Sequence, residues 1–294
     1  MTYILNVKID INNSLGNIMG VIDKLLMDGK QHIICTTNPE FIVYAQNDNE
    51  FMHIINSSDI SVPDGYGVIL AYNYINRINN IHNNLNEKRF KSVKFFLTGI
   101  GVFIDSILSR NIEGECVKGV DLFFNICSYA EKNEKNIFLL GGWPKDIFGR
   151  KVNTDIDIAS VAALKLKEKY KNLKIIGATS KMGMADNEKI DYIKLCMNKN
   201  NVDHIDFLFV AYGHPKQEKW IRKNAHKIPA RISIGVGGTF DYIVYPKKRA
   251  PEIFIKYNLE WLYRLIIQPW RIRRVLNAFP IFPVKVYLSS LKSK

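Results

Sequence analysis

Asp64 stands in Val62-Pro63-Asp64-Gly65-Tyr66-Gly67-Val68, between a short strand-like run and a helical pattern opened by glycines. A carboxylate placed there can cap the helix through its side-chain oxygen. It can equally project beyond a sheet edge and take a proton from a hydroxyl group. Thr36, Thr37 and Asn38 end a second apolar run just ahead of Pro39. Their polar groups suit sugar hydroxyls or phosphate, and suit just as well a helix start with proline at its first position.

Three glycine-bearing or polar turns could join them. Gly141 and Gly142 lie in Leu-Leu-Gly-Gly-Trp-Pro, and Gly237, Gly238 and Thr239 in Gly-Val-Gly-Gly-Thr-Phe-Asp. Both permit close backbone approach, by a diphosphate or nucleobase or by a neighbouring loop. Neither has the GxGxxG spacing, and no GKS/T follows, so the dinucleotide and P-loop fingerprints do not apply. Lys216, Gln217 and Glu218 head a third helical pattern, whose N–H groups favour an anion. The Gln217 amide offers a donor and an acceptor to a base or sugar. The alternative is a solvated first turn with Glu218 complementing the helix dipole.

Metal chemistry finds little support. Asp155-Ile156-Asp157 is formally a DxD, but it sits in a polar helical segment rather than at a strand end, and it reads as coincidence. The six histidines form no ligand array, and Cys35, Cys116, Cys127 and Cys196 form no CxxC pair. No metal or cofactor is expected, and unpaired cysteines favour a reduced, cytoplasmic setting.

The elements that must position these groups alternate. Residues 3–11, 32–37, 60–63, 136–142, 173–180, 205–213 and 231–238 read as strands. Helical patterns cover about 16–28, 39–48, 65–78, 146–170, 187–199 and 215–224. Apolar runs ended by glycine suit a Rossmann-like, largely parallel sheet with helices on both faces, so the fold class is α/β. Ligands then belong at the carboxyl ends of the strands. Residues 1–250 read as this domain and 251–294 as a basic, aromatic appendage. Residues 79–117 break the rhythm and read as an insertion. Its apolar stretch 95–108 is a buried hairpin or helix, or an element lying on a membrane surface between Lys91, Lys94 and Arg110.

The 294 residues suffice for one large domain, and 47% hydrophobic content supplies a core. No apolar run is long enough to span a bilayer. The net charge is +13, and residues 247–294 carry eleven Lys and Arg against two acids. Charge gathered in one terminal block, next to Trp270, Phe279, Phe282 and Tyr287, favours a single anionic surface, a membrane or a phosphate-rich ligand, over general nucleic-acid binding.

Taken together, the chain resembles the WecG/TagA/CpsF glycosyltransferase family. The resemblance rests on TTNPE (36–40), VPDGYGV (62–68), VKGVDL (117–122), FLLGGWP (138–144), YGHPKQEKWI (212–221), GVGGTFD (235–241), RAP (249–251) and LEWLYRLIIQPWR (259–271), in family order. It implies an inverting, metal-independent transferase that moves an N-acetylmannosamine-type sugar from UDP to a polyprenyl-diphosphate-linked acceptor. By the same resemblance Asp64 is the general base, Thr36 and Asn38 are its active-site neighbours, and Gln217 is a pocket residue. Arg264, Arg271 and Arg274 match arginines of an appendage that closes the site at the membrane over diphosphate. Thr37, Lys118, Asp121, Lys216 and the glycine turns complete the expected substrate contacts. The implied setting is cytoplasmic, peripheral on the inner face of the cell membrane, with no nucleic acid and with a homo-oligomer left open.

Two departures stand out. Where the family carries R-V-x-G-x-D, this chain has Cys116-Val117-Lys118-Gly119-Val120-Asp121, and Lys118 does not reproduce arginine's two-pronged fork. The stretch between Asp64 and Gly119 is also roughly thirty residues longer than in short members. A catalytically degenerate membrane or nucleic-acid adaptor therefore stands as the second reading. A nucleotide-dependent oxidoreductase, lacking GxGxxG, is the third.

Overall fold

The structure is a computed structural model that describes residues 2–11, 14–82, 91–108, 112–144, 150–152, 156–181, 184–245, 250–256 and 260–292. Arg110, Asp155 and Arg249, named above, lie outside the described residues.

The first expected strand is instead a hairpin of β1 (Thr2–Ile4) and β2 (Val7–Ile9), paired Thr2 with Ile9 and Ile4 with Val7. The chain reverses at Leu5 and Asn6, whose φ values are 50° and 63°. A two-residue turn of that hand fits strand twist. With leucine rather than glycine beside the asparagine, the sequence carries no strong turn signal. α1 (Leu15–Met27) follows, its Ser14 cap accepting from the Asn17 N–H.

β3 (His32–Thr37) leads into α2 (Pro39–Ala45). The helix expected over 39–48 stops there, because Asp48 accepts from the Phe51 N–H and starts a new helix, α3 (Asn49–Asn56). Next come β4 (Ile60–Pro63), α4 (Tyr66–His82), α5 (Lys91–Ile107) and α6 (Gly119–Lys132). The apolar stretch of the insertion is thus a helix, not a hairpin. β5 (Asn136–Gly141) precedes α7 (Ile158–Lys169); of the helix expected over 146–170, residues 146–149 and 153–155 lie outside the described residues. Asp157 sets that start: its Oδ1 accepts from the Ser160 and Ser180 N–H groups and from the Ser180 hydroxyl. Half of the formal DxD is therefore a helix cap.

The second half continues as β6 (Lys174–Thr179), α8 (Asp186–Lys199), β7 (Ile205–Ala211), α9 (Lys216–Asn224), β8 (Ala230–Gly235) and α10 (Thr239–Val244). The segment expected as an appendage holds α11 (Glu252–Lys256), α12 (Glu260–Ile267), α13 (Ile272–Leu276) and α14 (Phe282–Lys292).

Six parallel strands make one sheet in the order β4-β3-β8-β7-β5-β6. The expected α/β class holds. Alternation along each strand divides the core. Ile34, Ile137, Leu139, Phe207, Phe209, Ile232 and Ile234 face α1, α6, α7 and α10. Phe138, Leu140, Leu208 and Val210 face α8 and α9, and Cys35 faces α2. The helices that follow the adjacent strands β3 and β8 therefore leave toward opposite faces. That is the switch-point geometry that opens a crevice at the strand ends. A further cluster joins β1, β2, α2, α3, α4 and α5 to Phe282 and Val286 of α14.

Candidate active site

Register brings the expected residues to one edge. Thr36 pairs with Val62, Thr37 with Pro63, Val210 with Gly235 and Gly141 with Ala211, so the polar turns leave the sheet side by side. Asp64 follows β4 directly, and its N–H donates to the Thr37 carbonyl at 2.9 Å. Its Oδ1 accepts from the Gly119 N–H at 3.3 Å, at the start of α6. An N-terminal amide of a helix favours the ionised carboxylate. Gly65, at φ 100°, makes the turn away from β4. A Cβ on Gly67 would sit 3.0 Å from the Pro39 ring, so the glycine lets α4 start against α2.

Cys116 gains a defined place here. Its sulfur accepts from the Gly65 N–H at 3.2 Å, and the Val117 N–H donates to the Pro63 carbonyl at 3.0 Å. The position that departs from the family motif thus braces the turn that carries Asp64. Lys118 precedes α6 as its cap residue, without a side-chain cap bond, and Asp121 lies in the first turn. Both are half-buried.

Thr36, Thr37 and Asn38 are divided by their partners. The Thr36 hydroxyl reaches the Gly235 carbonyl at 3.5 Å, and a Cβ on Gly119 would stand 3.3 Å from its methyl group. Thr37 is fully buried and shares a 2.8 Å hydrogen bond with Ser61. Asn38 caps α2, its Oδ1 accepting from Phe41 N–H at 3.0 Å. The helix-cap reading of Asn38 is the one the contacts show.

Gln217 is not on a solvated turn. It is buried, and its Oε1 accepts from the Gly213 and Gly237 N–H groups, both at 3.0 Å. Its Nε2 donates to Glu218 Oε1 at 2.7 Å. The amide ties the loop after β7 to the loop after β8, with one N–H to spare. Glu218 lies beneath it, 1% exposed, and burial pushes its carboxyl up to about 7. The sequence reading of Glu218 as a solvated dipole partner fails for that reason. A Cβ on Gly235 would lie 2.6 Å from Glu218 Oε1, so this glycine admits the pair under the sheet edge. Lys216, by contrast, is exposed.

The two glycine turns differ. Gly141 and Gly142 have φ of 92° and 83°, yet Cβ atoms there would meet the Tyr212 ring and Phe240. The close approach at this turn is made by a neighbouring loop. Tyr212 in turn stacks on Trp143 at 4.9 Å. Gly237, at φ 53°, faces open space, while a Cβ on Gly238 would lie 4.0 Å from Arg271 Nη2. Thr239 is buried, and its hydroxyl donates to the Val236 carbonyl.

The three arginines converge on this edge from the appendage. Arg264 lies over the Tyr242 ring at 5.0 Å. Arg271 donates from Nε to Gln268 Oε1. Burial, together with the nearby charges of Arg274 and Arg264, lowers its pKa to about 10, so it stays cationic at neutral pH. Arg274 donates from Nε to Glu40 at 2.7 Å and approaches His214 at 3.4 Å. His214 Nε2 lies 3.3 Å from Glu40 and its ring is 4.9 Å from Phe41. Burial raises the Glu40 carboxyl, but His214 and Arg274 more than offset this and hold it below its ordinary value. Glu40 and His214 carried no signal of their own. They lie inside the TTNPE and GHPKQ runs, but their pairing across 174 residues is visible only in the fold.

The row therefore runs from Asp64 through Gly119, Thr36, Gly235 and Gln217 to Gly237, and Arg271 stands over the next residue, Gly238. It offers a carboxylate at one end, and open backbone at Gly237 beside cationic side chains at the other. That arrangement fits proton removal from one reactant and stabilisation of negative charge on another.

Comparison with known proteins agrees. The Glycosyl transferase WecG/TagA/CpsF family model matches residues 2–99 and 91–294. A Bacillus subtilis (strain 168) N-acetylglucosaminyldiphosphoundecaprenol N-acetyl-beta-D-mannosaminyltransferase is 30% identical over 268 residues, covering 91% of this chain and 84% of that protein. The Staphylococcus aureus (strain NCTC 8325 / PS 47) protein of the same name is 29% identical over 261 residues, covering 89% and 82%. The match spans both the sheet and the appendage, and the chain belongs to the WecG/TagA/CpsF glycosyltransferase family.

Proposed function

We propose that this glycosyltransferase moves an N-acetylhexosamine-type sugar, N-acetylmannosamine or its uronic acid, from UDP to a lipid-linked GlcNAc-diphosphate acceptor. The relatives' names support the acceptor and the sugar class. The observation that carries the chemistry is the placement of Asp64 on the same strand-end row as the arginine cluster.

In this reading the acceptor hydroxyl gives its proton to the Asp64 carboxylate as its oxygen attacks the anomeric carbon. The new C–O bond forms on the face opposite the departing diphosphate. The old anomeric C–O bond breaks with its electron pair on UDP, so configuration inverts. Thr36 and Asn38 border the attacking hydroxyl, with Thr37 buried behind them, while Lys118 and Asp121 flank the sugar. The backbone of Gly237 and Gly238, with Thr239, borders the diphosphate, and Lys216 and Gln217 frame the nucleotide end. Gly141 and Gly142 shape the far wall through Tyr212. Arg264, Arg271 and Arg274 meet the charge that develops on UDP, so the step is proposed to need no metal. Holding both substrates in one crevice supplies orientation. A peripheral position on the inner face of the cell membrane brings the enzyme to its acceptor.

The test is a panel of UDP-sugars against a soluble GlcNAc-diphosphate-lipid analogue, with product read by mass spectrometry and repeated in excess EDTA. Transfer of an N-acetylated sugar with inverted configuration, insensitive to EDTA, is expected. Transfer from a non-nucleotide donor, or activity lost in EDTA and restored by Mg²⁺, overturns the scheme.

A further inference from the structure

α5 is packed firmly on one side and bare on the other. Phe95 and Val102 are buried against α4, and Gly99 lies close under the Tyr74 ring, where a Cβ would be 3.6 Å away. Arg77 holds Asp105 at 2.6 Å, fixing the helix and neutralising its one acid. On the outer side Val93, Phe96, Leu97, Ile100, Phe103 and Ile104 are each 41–58% exposed. Single exposed apolar residues need no explanation, but a contiguous stripe of this kind marks an interaction surface.

The stripe does not end with α5. The Phe96 ring meets Tyr287 of α14 edge-on at 6.4 Å, and Ser92 shares a hydrogen bond with the Tyr287 hydroxyl. Lys91 Nζ donates to the Leu291 carbonyl. Val284 and Leu288, about half exposed, extend the apolar face along α14. Around it stand Lys94, Lys285 and Lys292, and no acid occurs from Trp261 to Lys294. At 17 residues α5 is shorter than the roughly 20 needed to span a bilayer. Among the described residues no helix is long and apolar enough to cross a membrane. Helices of this kind lie in the interface plane, apolar side among acyl chains and cations at the headgroups.

We propose that the outer faces of α5 and α14 form one docking surface for a bilayer containing anionic phospholipid, with the inserted helix as its principal anchor. A second copy of the chain is the poorer occupant. A two-fold contact through this face would bring its lysines against one another, and Asp105, the one acid of α5, is already paired with Arg77. The inference rests on the proposed function only in that the acceptor there is lipid-linked. It assigns the anchoring to the insertion as well as to the basic appendage.

The experiment is flotation of the full chain with phosphatidylcholine vesicles, with and without phosphatidylglycerol. Wild type is expected to float, more strongly with the anionic lipid. Phe96→Ser with Phe103→Ser should lower partitioning by more than about tenfold, since two rings no longer leave water. Turnover on a soluble acceptor analogue should stay unchanged. A second measurement needs no loss of function: Phe103→Trp should blue-shift on vesicle addition and be quenched by brominated acyl chains. Unchanged flotation of the double variant, or an unquenched tryptophan, overturns the proposal. So does sedimentation showing a dimer that the double variant abolishes while vesicles bind neither protein. A chain that floats through α5 yet transfers no sugar would instead refute the proposed function and leave the docking surface standing.

Discussion

Glu218→Gln isolates the carboxyl that supports Gln217. In the folded chain Glu218 Oε1 accepts from Gln217, while Oε2 is buried with no hydrogen-bond partner among the described residues. Burial raises its pKa from 4.5 to about 7, against the hydrogen bonds from Gln217 and its own backbone. The folded state therefore holds a proton that the unfolded chain releases near 4.5. The stabilisation is fully present below that value and is lost as pH rises through about 7. At 1.36 kcal/mol per pKa unit the loss is about 3 kcal/mol across that window. Glutamine keeps the acceptor for Gln217 but cannot titrate. Its second amide end lacks a partner, a cost of about 1–3 kcal/mol at every pH. Urea unfolding of both proteins from pH 4.5 to 8 should thus show the wild type more stable at acid pH. Its advantage should shrink by about 3 kcal/mol toward pH 7.5 and level off above. Other titrations are common to both proteins and cancel in the difference. Parallel stability curves would refute the assignment of a neutral, buried Glu218.

Asp64→Asn should lower transfer by about 10²–10⁴-fold while UDP binding, read by calorimetry, persists; full activity would remove Asp64 as the base. Arg274→Ala leaves Glu40 with His214 alone, and should cost about 1–2 kcal/mol in urea unfolding after allowance for the partial exposure of Arg274. His32 is held between Asp28 and Asp59 at 2.9 and 2.8 Å. Burial opposes its charge, but the two carboxylates prevail and raise its pKa. Its stabilisation should be complete below about 6.5 and fade as pH rises through the folded value, a dependence that His32→Gln should abolish in thermal unfolding.

The sequence made the strand-end chemistry legible because parallel strands buried on both faces announce themselves as apolar runs, and glycine marks where they stop. Asp64, Thr36 and Gly237 all came to the same edge on that signal. Family motifs in order outweighed the oxidoreductase reading, while Cys116 kept the adaptor reading open; the chain's glycosyltransferase class follows from the match. The hairpin at Leu5-Asn6 was hidden because alternation continues through a turn that uses no glycine. The polarity of Glu218 suits a solvated turn, and only the space over Gly235 shows that it lies inside. Glu40, His214 and Arg274 meet from three distant segments, which no local pattern could reveal. Cys116 could be read only as a missing arginine until its sulfur was seen to accept from Gly65.

One core cluster unites the two ends of the chain: Ile4, Val7 and Ile9 share it with Phe282 and Val286. That has a consequence for biosynthesis. At roughly 5–20 residues per second, the N-terminal hairpin emerges many seconds before the segment that completes its core. The half-sheet around β3 and β4 must wait with apolar surface uncovered until Phe282 and Val286 have been made. Deletion of residues 252–294 would accordingly leave a chain with an open core rather than a trimmed enzyme. Point substitutions on exposed faces are the sounder way to dissect the appendage. A slow final folding phase, starting only once residues 282–286 have emerged, would be the mark of this arrangement in a translation-coupled protease assay.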